Sequence, residues 1–193
     1  LRRAKDGAGE GVGLLADRNY DAALTRFSGA DHASYRGLAL LGKRDYEKAM
    51  AKFRSANDFS GMALVYLAKR EFRKALELAT QTNDLSAQGQ VALGQRDFDT
   101  AIAHFTAAND LSGLSLAYSG KRECDRAIAY ATQANDRSAL GYAHLAQHGF
   151  DRAIEDFTNA HDLSGLSLAY AGKRQFAKAM TYAAQANDAS ALG

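Results

Sequence analysis

Histidine and cysteine side chains are the groups of this sequence best able to do chemistry. The histidines are His32, His104, His144, His148 and His161. Only His144 and His148 have the i, i+4 spacing that places two side chains on one face of a helix. A metal site needs three or four converging ligands, and no cysteine or group of carboxylates accompanies this pair. The sequence therefore predicts no metal site and no bound cofactor.

Catalytic motifs are absent as well. The sequence contains no phosphate-binding loop, no Rossmann glycine pattern and no nucleophile elbow. Cys124 stands in the column of Phe98, Phe150 and Phe176, which predicts a small core residue. A lone cysteine also excludes an internal disulfide and is typical of a reducing compartment. We expect a protein that is not an enzyme and that is intracellular, in the cytoplasm.

Basic residues recur at regular intervals and are the candidate docking surface, here called the basic row. Its members are Arg18, Lys43, Arg44, Lys69, Arg70, Arg96, Lys121, Arg122, Lys173 and Arg174. A second row is acidic and comprises Asp58, Asp84, Asp110, Asp136, Asp162 and Asp188. Cations favour helix C-termini and aspartates favour helix N-termini, so capping and solubility explain both rows. The functional alternative is that the basic row docks an acidic protein surface or tail.

The elements that position these residues repeat along the chain. The tripeptide Ala-Asn-Asp begins at positions 56, 108, 134 and 186, and variants fill the gaps, so that every step is 26 residues. Within one step, Asp45–Ala56 has apolar residues at helical spacing, and Asp45 and Asp97 suit the N-cap. Asn57 can take the left-handed conformation that ends this helix, and Asp58 can cap the next one.

Each helix of this kind is preceded by a shorter, more apolar helix. Ser60–Leu67 and Ser112–Tyr118 are two examples of the shorter helix. We expect helices of about 8 and 12 residues, which must pack on neighbours to be stable. The turn between them is expected to contain Gly42, Gly94, Gly120 or Gly172, and the recurring serines are expected to cap helix N-termini. These serines are Ser60, Ser86, Ser112, Ser138 and Ser164.

The core positions of each step resemble the tetratricopeptide repeat. One step supplies the small, aromatic and alanine positions of that family's pattern as Gly37, Leu40, Tyr46, Ala49, Phe53 and Ala56. The resemblance implies helix–turn–helix hairpins stacked into a solenoid. The sequence departs from the family in its shorter period, about two helical turns below the usual 34 residues, and in Asn-Asp where the family has proline. The family's peptide-binding groove therefore does not carry over.

The predicted fold is an all-α, superhelical α-solenoid with a 26-residue repeat and a 52-residue super-repeat. Helix anchors alternate between Phe53, Phe105 and Phe157 and the alanines Ala79, Ala131 and Ala183. This alternation indicates size compensation in the core, or a surface for a partner with a two-step repeat. We expect residues 1–193 to be one continuous array within a longer protein. Its units are 1–15, 16–41, 42–67, 68–93, 94–119, 120–145, 146–171 and 172–193.

Composition and net charge exclude some classes of partner but do not identify the function. The net charge of +2 is too small to indicate nucleic acid or an anionic membrane. The first helix of each hairpin is apolar on all sides, so curvature, a second copy or a partner must cover it. We expect a scaffold that binds protein partners, acidic ones included, or itself, in a cytoskeletal or other large assembly. The alternative is a peptide-binding adaptor of the tetratricopeptide type.

Overall fold

A computed structural model describes residues 9–15, 18–28 and 32–191, with side chains described up to Ala186. These residues form helices and no strand, which confirms the all-α prediction. The first helices of the hairpins, called A helices, are α1 (residues 9–15), α3 (Ala33–Gly42), α5 (Phe59–Ala68), α7 (Leu85–Gly94), α9 (Leu111–Gly120), α11 (Arg137–Ala146) and α13 (Leu163–Gly172). The B helices are α2 (Tyr20–Arg26), α4 (Tyr46–Ser55), α6 (Phe72–Gln81), α8 (Phe98–Ala108), α10 (Cys124–Ala134), α12 (Phe150–Asn159) and α14 (Phe176–Ala191).

Two compact units make up the described chain, and the division falls within α6, after Leu78. In the first unit α3 packs on α2, α4 and α5. In the second unit, Ala79–Asn187, each helix from α7 to α12 packs on the next. The A helices α7, α9, α11 and α13 also contact one another in that order. Neighbouring A helices therefore cover part of the apolar A-helix surface that the B helices alone cannot cover.

The two helices of a hairpin are nearly equal in length, which corrects the expected 8 and 12 residues. A helices from α3 to α13 have 10 residues, and α4, α8, α10 and α12 have 10 or 11. The A helix begins one residue earlier than expected, and in α9 it also continues through the glycine that was expected in the turn. Gly42, Gly94, Gly120 and Gly172 are the final residues of their helices.

Those glycines permit a close approach instead of a turn. A Cβ on Gly120 would lie 2.3 Å from the Phe98 ring, and one on Gly172 would lie 2.3 Å from the Phe150 ring. Such distances are far below van der Waals contact. The ring that opens α8 or α12 therefore packs against the bare backbone at the end of the next A helix.

Aspartates begin the A helices, as the sequence predicted for Asp58. The side chains of Asp58, Asp84, Asp110, Asp136 and Asp162 each accept a hydrogen bond from the backbone N–H three residues later, at 2.7–2.9 Å. Asp45 and Asp97 cap α4 and α8 in the same way. The predicted capping by serine is wrong at Ser138, whose hydroxyl instead donates to Asp162 of the next hairpin at 2.6 Å. The carboxylate is the better acceptor at these positions because it carries a charge that the helix N-terminus stabilises.

Left-handed residues connect the helices at both kinds of turn. Turns from B to A use asparagine, as predicted for Asn57, with φ near +50° in Asn57, Asn83, Asn109 and Asn135. Turns from A to B place a basic residue in this conformation, with φ between 56° and 66° at Arg18, Arg44, Arg70, Arg96, Arg122, His148 and Arg174. Among the described residues no glycine has positive φ. Arginine is an uncommon choice here, because a Cβ disfavours the left-handed region and glycine or asparagine is preferred.

Replacing one turn arginine tests whether the fold depends on that side chain. We expect Arg122→Gly to change the free energy of unfolding by less than about 1 kcal/mol, because relief of left-handed strain opposes the loss of a cation near the C-terminus of α9. Arg122→Val should destabilise the chain by about 1–3 kcal/mol, because a β-branched residue fits this conformation poorly. Urea denaturation followed by circular dichroism measures both. Equal stability of the two variants would contradict the assigned backbone conformation.

Phenylalanine–glycine contacts organise the core. Phe53, Phe105 and Phe157 are completely buried. A Cβ on Gly89 or Gly113 would lie 2.7 or 2.4 Å from the Phe105 ring. Phe53 lies in the same way between Gly37 and Gly61, and Phe157 between Gly141 and Gly165. Each ring thus occupies the space that two glycines leave in the A helices before and after it, and the alternation of anchors is explained by size compensation.

Candidate functional site

The lysines of the basic row are engaged in ion pairs between successive hairpins. The Lys121 ammonium lies 2.7 Å from Asp99, and the Lys43 ammonium lies 2.5 Å from Asp21. Lys69 lies 3.6 Å from Glu47, and Lys173 pairs with Asp151. In each case the acid is the second residue of a B helix and the lysine directly follows the next A helix. These lysines therefore link neighbouring hairpins, and each has an acidic partner within the chain.

The arginines of the basic row are arranged differently. Arg44, Arg70, Arg96, Arg122 and Arg174 are exposed. The guanidinium of Arg70 lies 5.6 Å from the centre of the Phe72 ring, and that of Arg96 lies 5.9 Å from the centre of the Phe98 ring. Arg122 Nη2 lies 3.3 Å from His148 Nε2, which occupies the equivalent position in the next turn. The structure thus divides the row into lysines, buried at Lys43 and half-buried at Lys173 but exposed at Lys69 and Lys121, that pair with acids of the preceding hairpin, and exposed arginines.

Ion pairs shift the pKa of one lysine of the basic row and of three groups outside it. The hydrogen bond to the Asp99 carboxylate raises the pKa of Lys121 above its ordinary value, and Glu123 acts in the same direction. In the first unit, the hydrogen bond from Lys74 lowers the pKa of Glu71, and Glu71 in turn raises the pKa of Lys74. Lys48 lowers the pKa of Asp45 by the same kind of contact. The charged forms of Lys121, Glu71, Lys74 and Asp45 are therefore favoured.

Removal of the Asp99 charge should therefore lower the pKa of Lys121 in the folded protein. A raised pKa means that the pair stabilises the fold at neutral pH and that this contribution is lost as the pH rises through the raised value. We expect Asp99→Asn to shift the titration of the Lys121 Cε signal, followed by NMR, to lower pH. The signals of Lys74 serve as the control and should not move. An unchanged Lys121 titration would show that Asp99 is not its partner.

A histidine–carboxylate pair is buried between α11 and α12. His144 Nδ1 lies 2.7 Å from Asp156 Oδ2, and the two side chains are only 15% and 9% exposed. Arg137 Nη1 lies 3.6 Å from the other oxygen of Asp156. His144 and His148 therefore have different partners, since His148 contacts Arg122. Among the described residues no group of three metal-binding side chains is present.

This pair replaces aromatic stacking found at the same positions in neighbouring hairpins. Tyr118 and Tyr130 stack at 5.5 Å with an interplanar angle of 3°, and Tyr170 and Tyr182 stack at 5.3 Å and 4°. The residues of all three pairs are twelve positions apart. Sequence reasoning singled out His144 but missed Asp156. The constant separation of twelve residues between A-helix and B-helix partners was the signal that would have found it.

Residues of the second unit line at least two cavities within the described part of the chain. One, of about 270 Å³, is at the turn between α11 and α12 and is lined by His144, His148 and Arg152 among others. The other, of about 330 Å³, is lined only by residues of the A helices α7, α9 and α11. Its walls include Leu93, Leu116, Tyr142 and Leu145. Ser119 of α9 also lines it. The second cavity is the more apolar of the two.

Comparisons with known proteins assign no family. No protein-family model matches the chain, and no curated protein sequence matches it. The tetratricopeptide resemblance accordingly stays a prediction that depends on the residues quoted above. Within the described residues, no helix has both the length and the apolar character needed to cross a bilayer.

Cys124 and His161 contribute little to the surface formed by the exposed arginines of the basic row. Cys124 is the first residue of α10 and is half-buried, and its thiol lies 3.5 Å from the Arg122 carbonyl oxygen. His161 occupies the left-handed position of a B-to-A turn that asparagine fills elsewhere. The exposed arginines of the A-to-B turns and the cavity between A helices are therefore the features on which a function can be built.

Proposed function

We propose that this chain is a scaffolding segment, an α-solenoid of 26-residue hairpins that mediates protein–protein interaction or assembly through the exposed arginines of the basic row. A cytoskeletal or other large assembly is the expected setting, because a surface that repeats at constant spacing suits a repetitive partner. Acidic protein surfaces or tails are the expected ligands, and the chain has no catalytic role. Tetratricopeptide-like stacking of the hairpins would align the arginines.

The observation that carries this proposal is the choice of residue at the A-to-B turns. Backbone geometry there favours glycine or asparagine, and the B-to-A turns of the same chain do use asparagine. Cation–π contacts of about 0.5–1 kcal/mol account for part of the preference at Arg70 and Arg96. The placement of a cation at a helix C-terminus accounts for a further part, but neither effect requires arginine, which suits this conformation less well than glycine or asparagine, at six of the seven described A-to-B turns. A long cation kept at an unfavourable position is typical of a residue selected for what it binds.

Substitution of the arginines alone separates docking from folding. We expect a variant with Arg44, Arg70, Arg96, Arg122 and Arg174 changed to Gly to fold, because the turn accepts glycine. A fluorescent polyglutamate peptide should bind the wild-type chain and lose most of its affinity for this variant. The affinity for the wild type should also fall with rising salt concentration.

A matched control changes basic residues outside the row. Lys48, Lys52, Arg54, Arg126 and Arg152 lie on B helices, and their replacement by Gln removes the same number of charges. If this control loses as much affinity as the arginine variant, the binding reflects net charge and the proposed role of the row is wrong. Undiminished binding by the arginine variant would contradict the proposal directly.

Self-association is a second candidate, favoured by apolar exposure in the last hairpin. Leu168, Phe176 and Met180 are 51%, 62% and 68% exposed. They lie in the last described hairpin, where no following A helix is described to cover them as α13 covers Phe150 of the preceding hairpin. Sedimentation velocity over a range of concentrations tests this mode. A monomer at all concentrations would exclude it, and a concentration-dependent shift that Phe176→Lys abolishes would support it.

The peptide-binding adaptor remains the alternative function. The cavity between α7, α9 and α11 favours it, since an adaptor needs a concave apolar site with few polar groups. The scaffold and the adaptor differ in where the partner binds. Loss of binding on changing the turn arginines supports the scaffold, and loss on filling the cavity supports the adaptor.

A further inference from the structure

One A-to-B turn has histidine where the other described A-to-B turns have arginine. His148 has φ of 62° and an exposed side chain. Its ring lies 5.9 Å from the centre of the Phe150 ring, just as the Arg96 guanidinium lies 5.9 Å from the centre of the Phe98 ring. Histidine ordinarily changes its charge between pH 5 and 8, whereas arginine stays charged. The charge of this turn can therefore change under conditions that leave the arginine turns unchanged.

The contact between His148 and Arg122 corresponds to the neutral form of the histidine. Arg122 Nη2 lies 3.3 Å from His148 Nε2. A guanidinium group has donors and no acceptor, so this contact is a hydrogen bond only if Nε2 carries no proton and accepts. In the protonated imidazole both nitrogens are donors. Protonation therefore removes the acceptor and places a second cation beside Arg122.

Charged and titratable groups from the neighbouring elements lie around this turn. They are Arg122 after α9, Asp125 on α10, His144 on α11, Asp151 and Arg152 on α12, and Lys173 after α13. The two acids have other partners, since Asp151 pairs with Lys173 and Asp125 accepts from Gln147 at 3.4 Å. No carboxylate of the described residues forms an ion pair with His148. A positive charge on His148 is therefore available to a ligand.

We propose that His148 makes the docking surface respond to pH, because its protonation adds a cation next to Arg122 and strengthens the binding of an acidic protein segment. A ligand carboxylate between the two side chains accepts from both and screens their repulsion. At higher pH the neutral imidazole instead occupies a donor of Arg122. This inference rests on the proposed function, since it concerns regulation of the same surface, and it adds a residue that the basic row does not contain.

The affinity of an acidic peptide at two pH values tests this regulation. The probe is a fluorescent polyaspartate peptide, because aspartate has an ordinary pKa of about 3.9 and stays ionised at both about pH 5.8 and about pH 7.5. Anisotropy at constant ionic strength gives the Kd of the whole chain. His148→Arg keeps a positive charge at both pH values, and His148→Asn removes it at both. Arginine and asparagine each occupy left-handed turn positions elsewhere in the chain, so both variants should fold, and circular dichroism checks this at both pH values.

His161→Asn is the matched control. His161 is also an exposed histidine in a left-handed turn position, and asparagine fills that position in other B-to-A turns. The control removes one titrating histidine from the chain without changing the A-to-B turns. It therefore separates the charge at the docking surface from the total charge of the protein.

We expect the wild-type chain to bind about two- to fivefold more tightly at the lower pH, which is the size of one exposed ion pair. His148→Asn should bind at both pH values like the wild type at the higher pH. His148→Arg should bind tightly at both. His161→Asn should keep the pH dependence of the wild type.

Three results contradict the inference, and they differ in what they leave standing. If His148→Asn keeps the pH dependence of the wild type, another group titrates and the arginine surface stands without this regulation. If His161→Asn loses the dependence as fully as His148→Asn, the effect comes from total charge. If the wild-type chain binds the peptide at neither pH, the proposed function fails and its regulation fails with it.

Discussion

Replacing Phe105 by Ala should lower the free energy of unfolding by about 3–5 kcal/mol, the upper range for a core truncation. The ring is completely buried, and it contacts Gly89 and Gly113, which have no side chains with which to fill the space. The cavity that remains cannot close without movement of two helices. Urea denaturation followed by circular dichroism measures the change, because the chain has no tryptophan.

An exposed ring provides the control for this prediction. Phe176 is 62% exposed, and Phe176→Ala should change stability by well under 1 kcal/mol, as surface substitutions usually do. The converse variant Gly113→Ala should also destabilise the fold by about 1–3 kcal/mol, because its Cβ would lie 2.4 Å from the Phe105 ring. In the double variant the new methyl group occupies part of the space left by the ring, so its loss of stability should be smaller than the sum of the losses in the two single variants. Strict additivity would show that the two residues are not in contact.

His144 and Asp156 should show strong energetic coupling, because they form a close and mostly buried pair. His144→Tyr alone leaves the Asp156 carboxylate, 9% exposed, beside a ring instead of its hydrogen-bond donor. Asp156→Tyr alone leaves His144 and Arg137 without their acceptor. Loss of one partner of a buried polar pair costs about 1–3 kcal/mol. Each single variant should therefore be destabilised by about that amount.

The double variant His144→Tyr with Asp156→Tyr should regain most of this stability. It recreates the stacked arrangement of Tyr118 with Tyr130 and of Tyr170 with Tyr182. A double-mutant cycle built from urea midpoints measures the interaction, which should be about 1–3 kcal/mol. If the double variant is as unstable as the sum of the single variants, the tyrosine pairs of the neighbouring hairpins are not equivalent to this pair.

Much of the local structure was predictable from the sequence because single residues determine it. Asp45, Asp58 and Asp97 were predicted as N-caps and accept the expected backbone hydrogen bonds. Asn57 was predicted in the left-handed region and has φ of 51°. The alternation of phenylalanine and alanine was visible as a pattern, and size compensation was one of its two interpretations. Short-range backbone chemistry and apolar spacing are sufficient for these predictions.

What could not be predicted depends on contacts between hairpins. Gly120 was assigned to a turn, but the reason for its small size is the Phe98 ring, 22 positions earlier in the chain. Lys121 was placed in a docking surface, and its partner Asp99 lies at the same separation. The left-handed conformation of Arg122 was not expected, because arginine has no preference for it. The spacing of residues along one helix does not show which residues of two different hairpins are in contact.

The placement of phenylalanines between glycines also limits how such a chain can change in length. A deletion of residues 120–145 would join α9 to the B helix that contains Phe157, and Ser115 would stand where Gly141 now meets that ring. A side chain at this position collides with the phenylalanine, so gain or loss of one hairpin breaks a junction. Gain or loss of two hairpins preserves every junction. Genetic duplication within this protein should therefore leave viable products that differ by even numbers of hairpins.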